Sequence, residues 1–397
     1  MKITNIRTTL VTVPFAKWGK FAPVKMWYGT RHSDYKRCVT FIDTDEGITG
    51  VGTQGDQYVI TNEIRRRLIG KDPFQISMIE RDERRGGAGV TTQHFGTRTV
   101  AAIDGALWDI VGKACNKPLY KLWGGKIHDP IPVRYWLCCN TPDIMAEEAI
   151  KACERGWRSF KVKLGTDPNV DIDRVRAVRE AVGYDIELNF DINGGYPLSC
   201  AMRTLKKMER YDPASIEEPI PNSWPWDQAS IEGMADLRRI IGIPIEAHSH
   251  GPNIEEWVRI VVEKRGADSI HLNLSFIGGV MQAKRICAMG MMGGIRSTGQ
   301  SSAAELGPRN ALILHWITST PEFTGTNDSS THLLEPPSGD IIKEEFRTIE
   351  GTLRVPEGPG LGVEIDPEKL KKYEKIAKAD QYKPEPGLGQ TDKYYWG

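Results

Sequence analysis

Apolar and polar residues alternate along "KITNIRTTLVTV" and "KRCVTFIDTDEGITGVG", and both stretches are rich in Val, Ile and Thr. That pattern predicts antiparallel strands over residues 1 to about 55, with Asp45-Glu46-Gly47 as the turn between two of them. In "TRTVAAIDGALWDIVGKACN" the period changes. Val100, Ile103, Ala106, Leu107, Ile110 and Val111 fall on one face at helical spacing. From about residue 131, short apolar runs alternate with helical stretches. The predicted strands are "PVRYWLC", "SFKVKLG", "DIELNFD", "SIEEPI", "IPIEAHS", "SIHLNLS" and "GIRSTG". Between most of them lie helical stretches such as "PDIMAEEAIKACERG", "VDIDRVRAVREAVG" and "IEEWVRIVVEKRG". Parallel strands joined by crossover helices define an α/β fold. No dinucleotide-type glycine fingerprint follows the first strand, so a closed (β/α) barrel is favoured over a doubly wound sheet. In such barrels the chemistry sits at the C-terminal ends of the strands. After about residue 325 the alternation stops. "TLRVPEGPGLGVEID" reads as strand, turn and strand, and "QYKPEPGLGQTDKYYWG" as a tail extended over the surface.

Composition narrows the function classes. The chain has 397 residues, 26% charged and 40% hydrophobic, with zero formal net charge and a pI near 7.1. That balance gives no global attraction to nucleic acid or to a membrane surface. The first residues lack the apolar core of a signal peptide, and no run approaches the ~18 apolar residues of a membrane span. Seven scattered cysteines, including the neighbours Cys138 and Cys139, suggest reduced thiols and a cytoplasmic location.

Polar residues collect at the strand ends. Lys161 and Lys163 are two apart and share a strand face. If that face points inward, mutual repulsion and burial both lower lysine pKa, which makes a base near neutral pH; on an exposed strand they would be solvated charges. The third strand ends with Asp191 and Asn193, the fourth with Glu217 and Glu218. The fifth carries Glu246, His248 and His250 at alternate positions. Acidic groups at successive strand ends converge on one point, where oxygen ligands suit Mg²⁺ with positions left open for substrate.

These segments, in this order, resemble the mandelate racemase/muconate lactonizing group of the enolase superfamily. "AAIDGALWDIVGKACNKPLYKLWGG" resembles the helix and turn that precede the family's barrel, and "FKVKLG" its Lys-x-Lys motif. "FDIN" and "IEEP" resemble two metal-ligand motifs, "SFIGGV" the turn after the sixth strand, and "GPGLGVEID" the C-terminal signature. The resemblance implies an N-terminal α+β capping domain (1–130), a modified TIM barrel (131–325) and a C-terminal segment completing the cap (326–397). It implies Lys163 as base, Lys161 as its tuning neighbour, and Asp191 and Glu217 as ligands of Mg²⁺. The third ligand of the family is a carboxylate; here that position falls on His248, with Glu246 and then His250 as alternatives. An imidazole ligand brings Mn²⁺ or Fe²⁺ into consideration.

A second departure bears on the reaction. Racemases and epimerases of this group need a base on each face of the substrate, the one opposing the second-strand lysine coming from the sixth and seventh strands. Here the sixth-strand position is Asn273, and "GIRSTGQSS" contains no histidine. A one-base reaction remains, and β-elimination of water from an acid sugar is such a reaction. Asn273 would then position a substrate oxygen. Between the first strands lies a loop with Lys17, Trp18, Lys20, Lys25, Trp27, Tyr28, Arg31 and His32: either a lid suited to an anionic, polyhydroxylated ligand or a solvated loop with its aromatics in the core. Asn193, His94 and Arg296 are further substrate-binding candidates, His271 a core or supporting residue, and Glu305 a rim acid. The expectation is therefore a cytoplasmic, metal-dependent acid-sugar dehydratase acting on a small molecule as a homo-oligomer. An epimerase, racemase or cycloisomerase is the enzymatic alternative, and a non-catalytic binding protein the other.

Overall fold

In the computed structural model, parallel strands Ile131–Leu137, Ser159–Lys163, Glu187–Asp191, Ser215–Glu217, Ile245–His248, Ser269–Leu272, Arg296–Gln300 and Phe323–Ser329 pair in chain order. The eighth strand returns to the first, with Asp328 beside Arg134, and closes a barrel. The structure describes residues 1–16, 24–25, 31–32, 34–53, 60, 62–85, 93–221, 228–248, 254–300, 305–334 and 339–380. Of these, 24–25, 31–32, 84–85, 93–98, 300 and 380 are described by backbone alone. Most of the predicted lid loop and the whole C-terminal tail lie outside the described residues. Among the described residues no helix is long and apolar enough to cross a membrane.

The strands owe their place to a two-faced pattern. Phe160, Val162, Leu188, Phe190, Ile216, Ile245, Ala247, Ile270 and Leu272 are buried in one apolar cluster with the surrounding helices. Their alternating neighbours Lys161, Lys163, Asn189, Asp191, Glu217, Glu246, His248 and His271 are equally buried but polar, and they occupy the other face. Barrel interiors are ordinarily packed with branched aliphatic residues. This interior is filled with charge.

The N-terminal strands Ile3–Pro14, Asp34–Thr44 and Thr49–Thr53 form an antiparallel sheet, turning at the predicted Asp45-Glu46-Gly47. Helix Gln93–Ala114 lies against this sheet at backbone distance. A Cβ at Gly50 or Gly52 would come within 2.0 Å of the Ala106 or 2.1 Å of the Ala102 carbonyl oxygen. Asp109 of the same helix joins two distant segments. Its carboxylate accepts from Val51 N at 3.0 Å and Leu361 N at 2.9 Å. The C-terminal helix Pro367–Asp380 brings Tyr373 into a cluster with Val11, Val13 and Val39 of the N-terminal sheet. The predicted second strand of "TLRVPEGPGLGVEID" reduces to single bridges, because Pro356, Pro359 and three glycines favour turns there.

Asp340 fastens the C-terminal segment to the barrel. It is buried and accepts from Gly307 N at 3.0 Å, at the start of the helix that follows the seventh strand. Burial raises its pKa to about 6, although the backbone donors pull the other way. A folded-state pKa above the unfolded one gives stability that is full below about pH 4 and is lost as pH rises through 6. The expected loss across that window is on the order of 3 kcal/mol. Asp340→Asn should therefore show a shallower fall of thermal midpoint between pH 4 and 6 than the wild type. Parallel profiles would refute this account.

Candidate active site

Strand register builds the site. Lys163, Asp191, Glu217 and Glu246 are register partners across four successive strands. His248, His271 and Thr298 form a second row across the fifth to seventh strands. Paired residues of parallel strands project from the same face, so both rows point into the barrel.

Lys161 is at the centre of the cluster. Its Nζ donates to Asp328 Oδ2 at 2.8 Å and lies 3.1 Å from Asp191 and 2.6 Å from Glu217. The expected lowering of its pKa by the neighbouring lysine is overturned. Burial does favour the neutral amine, but Asp328, Glu217 and Asp191 together hold the pKa well above the ordinary lysine value. Lys163 Nζ donates to Asp191 Oδ2 at 2.5 Å and to Asn193 Oδ1 at 3.2 Å, and lies 5.3 Å from the centre of the Trp136 ring. Asn193 thus anchors a lysine in addition to any contact it makes with a ligand. Burial and Asp191 push the Glu217 carboxyl up to about 7.

Beneath this layer Arg134 lies between two carboxylates. Its Nε is 2.8 Å from Asp328 and its Nη2 3.4 Å from Glu246. Glu246 also accepts from Ser269 and Thr298 hydroxyls, each at 3.0 Å, and has His271 Nδ1 at 3.3 Å. Burial alone would raise its pKa; Arg134 and His271 more than reverse this and hold it far below the carboxylate range. Glu246, the alternative third ligand, is therefore engaged in a deeper network. His271 is fully buried, which by itself lowers its pKa, but Glu217, Asp328 and Glu246 raise it to about 9.

Among the described residues, two groups of side chains could hold a divalent cation. The ligand atoms of Glu217, His248 and His271 lie within 4.8 Å of one another, and so do those of Asp191, Glu217 and Glu218. Glu217 belongs to both, and its Oε2 also lies 2.6 Å from Lys161 Nζ. Buried carboxylates and imidazoles within one ion's reach fit a metal. The three ligands expected from sequence are thus divided between two overlapping groups.

Other candidates are placed elsewhere. Asn273 caps the short helix Leu274–Ile277, its Oδ1 accepting from Ser275 N at 2.8 Å. Arg296 is the first residue of the seventh strand and is exposed, at the opposite end of the barrel from Lys163; the structure removes it from the site. Glu305 is not on the rim. It is fully buried, with Oε2 3.7 Å from Arg37 of the N-terminal sheet. Lys17, Trp18, Lys20, Trp27, Tyr28 and His250 lie outside the described residues. For Lys25, Arg31 and His32 only the backbone is described, as paired strands Val24–Lys25 and Arg31–His32, and for His94 only its place in helix Gln93–Ala114. Arg134 and Asp328 were not anticipated. An arginine inside the apolar run "PVRYWLC" was the one available signal for the first.

A loop after the second strand keeps Lys163 in place. Asp171 accepts from Gly165 N at 2.9 Å, Thr166 N at 3.0 Å and the Tyr196 hydroxyl at 2.5 Å. Gly165 has φ +92°, and a Cβ there would lie 2.0 Å from Ile192 O.

A closed parallel barrel with lysines, carboxylates and histidines at its C-terminal rim is an enzyme architecture built for acid–base chemistry beside a metal. Residues 7–124 match the mandelate racemase/muconate lactonizing enzyme N-terminal domain, and 144–369 the enolase C-terminal domain-like family. The chain belongs to the mandelate racemase/muconate lactonizing enzyme group of the enolase superfamily. It is 29% identical to the N-succinyl-L-Arg/Lys racemase of Bacillus cereus over 391 residues, 93% of this chain and 97% of that one. It is 28% identical to a D-galactonate dehydratase of Variovorax paradoxus over 354 residues, 83% and 88% of the two chains. The crystal structure of the Bacillus cereus racemase superposes with a TM-score of 0.80 at 27% identity, covering 94% of this chain and 98% of that one.

Two substitutions probe the arrangement. Arg134→Met leaves Glu246 and Asp328 buried without their main cation, and should cost about 3–5 kcal/mol, read as a lowered thermal midpoint; an unchanged midpoint would show the pairing to be dispensable. Gly165→Ala should cost about 2–4 kcal/mol through backbone strain and overpacking. An alanine variant as stable as the wild type would mean that the loop shifts freely.

Proposed function

We propose that the protein is a divalent-metal-dependent dehydratase of an acid sugar, an aldonate or aldarate, giving a 2-keto-3-deoxy acid. The observation that carries this reading is the asymmetry of the rim. Lys163 stands at the end of the second strand, whereas Asn273, at the end of the sixth, is a helix cap. The residues after the seventh strand, Ser301-Ser302-Ala303-Ala304, offer no lysine, histidine or carboxylate. One base on one face suits elimination better than stereochemical inversion.

In this reading Asp191, Glu217 and His248 hold the cation. When bound, it would offset the negative charge that develops on the substrate carboxylate as the α-proton leaves. Lys163 Nζ takes that proton. The C–H electron pair forms the C2–C3 double bond, the 3-hydroxyl departs with a proton as water, and the resulting enol tautomerises to the ketone. Lys161, kept charged by three carboxylates, serves as a fixed positive charge for the substrate carboxylate. Asn193 keeps Lys163 oriented. The seven free cysteines fit a reducing, cytoplasmic setting.

Racemisation or epimerisation is the rival, supported by the racemase likeness and by inward-facing His271 on the sixth strand. A panel of mono- and diacid sugars with Mg²⁺ or Mn²⁺, assayed for 2-keto-3-deoxy acids, separates the two. Dehydration is expected with the wild type, and Lys163→Ala should lower its rate about 10²–10⁴-fold. Exchange of the α-proton with solvent deuterium without loss of water would reject elimination in favour of epimerisation.

A further inference from the structure

Resting on the metal-centre reading above, we propose that His271 is a fourth ligand beside Asp191, Glu217 and His248, so that the centre prefers a later first-row cation, from Fe²⁺ to Zn²⁺, over Mg²⁺. His248 and His271 are register partners on adjacent strands, with ring centres 5.3 Å apart. Their ligand nitrogens and a Glu217 oxygen all lie within 4.8 Å of one another.

The hydrogen bonding of His271 fixes which nitrogen is available. The Thr298 hydroxyl donates its proton to Glu246 Oε2 at 3.0 Å, so Thr298 can only accept from His271 Nδ1, 2.6 Å away. Nδ1 therefore carries hydrogen, and Nε2 is the nitrogen that would meet a cation. Nε2 is buried, makes no directed hydrogen bond, and lies 3.1 Å from Asp328 Oδ2. A divalent cation bound at Nε2 would displace the proton held there and take over its charge-balancing role beside the carboxylates. A metal-ligating histidine whose other nitrogen is held through a carboxylate network is a recurring metal-site arrangement, and that outer contact sets its tautomer and orientation. Here the outer carboxylate is Glu246. Two imidazoles in place of oxygen donors shift the preference from Mg²⁺ toward ions that bind nitrogen well.

The test uses full-length, metal-stripped protein loaded with Co²⁺ and examined by proton NMR in water. Each imidazole on Co²⁺ gives its own strongly shifted N–H resonance. Two such resonances are expected in the wild type. His271→Gln should remove the slowly exchanging one, which arises from the buried Nδ1–H, and His248→Gln the other. Co²⁺ should also remain bound when an equal concentration of Mg²⁺ is added. A single shifted N–H in the wild type, or displacement of Co²⁺ by equal Mg²⁺, would overturn the fourth ligand and leave the metal centre standing. No uptake of Co²⁺ at all would overturn the metal-centre reading, and the proposal with it.

Discussion

Arg134 makes the charged interior of this barrel possible. Asp191, Glu217, Glu246 and Asp328 are all buried in one connected cluster. Ionised carboxylates in a poorly hydrated interior are stable only when paired. Arg134 neutralises the two deepest, Glu246 and Asp328, from a strand that otherwise carries apolar and aromatic residues. Lys161 then serves the carboxylates above. With the lower layer balanced, the upper row can be reserved for ligands and substrate.

The fold was largely legible because the chain alternates so regularly. Seven barrel strands announce themselves as apolar runs between helical stretches. The eighth, "FTGTNDS", does not, since only Phe323 in it is a large apolar residue and its inward group is Asp328. That omission propagated into the electrostatics. Two lysines on one strand face imply mutual repulsion; three carboxylates arriving from the third, fourth and eighth strands outweigh it. Spacing reveals which residues share a face, but not what comes to meet them from elsewhere in the chain.

The fifth strand shows the same limit. Glu246 and His248 share a face and a strand, and the sequence alone gives no physical reason to rank them as ligands. The register does, by setting Glu246 against Arg134, Ser269 and Thr298 and His248 one step nearer the rim. Arg296 illustrates the converse. It belongs to a barrel strand but begins it, so the direction of the strand removes it from the rim. Glu305 looked like a rim acid because it follows a strand end; its burial against Arg37 makes it part of the join to the N-terminal sheet.

The pairing of the first and eighth strands has a consequence for the order in which the molecule assembles. Asp328 follows Arg134 by nearly half the chain, and the N-terminal sheet is completed by Tyr373, later still. During synthesis Arg134 and Lys161 are made long before Asp328, a carboxylate that balances both, and contacts between distant segments form slowly because the intervening chain must be closed into a loop. Until the eighth strand arrives, the half-built barrel keeps its charged interior open to water. The charge that equips the finished enzyme for chemistry also protects the nascent chain, because a charged inner face is a poor template for aggregation.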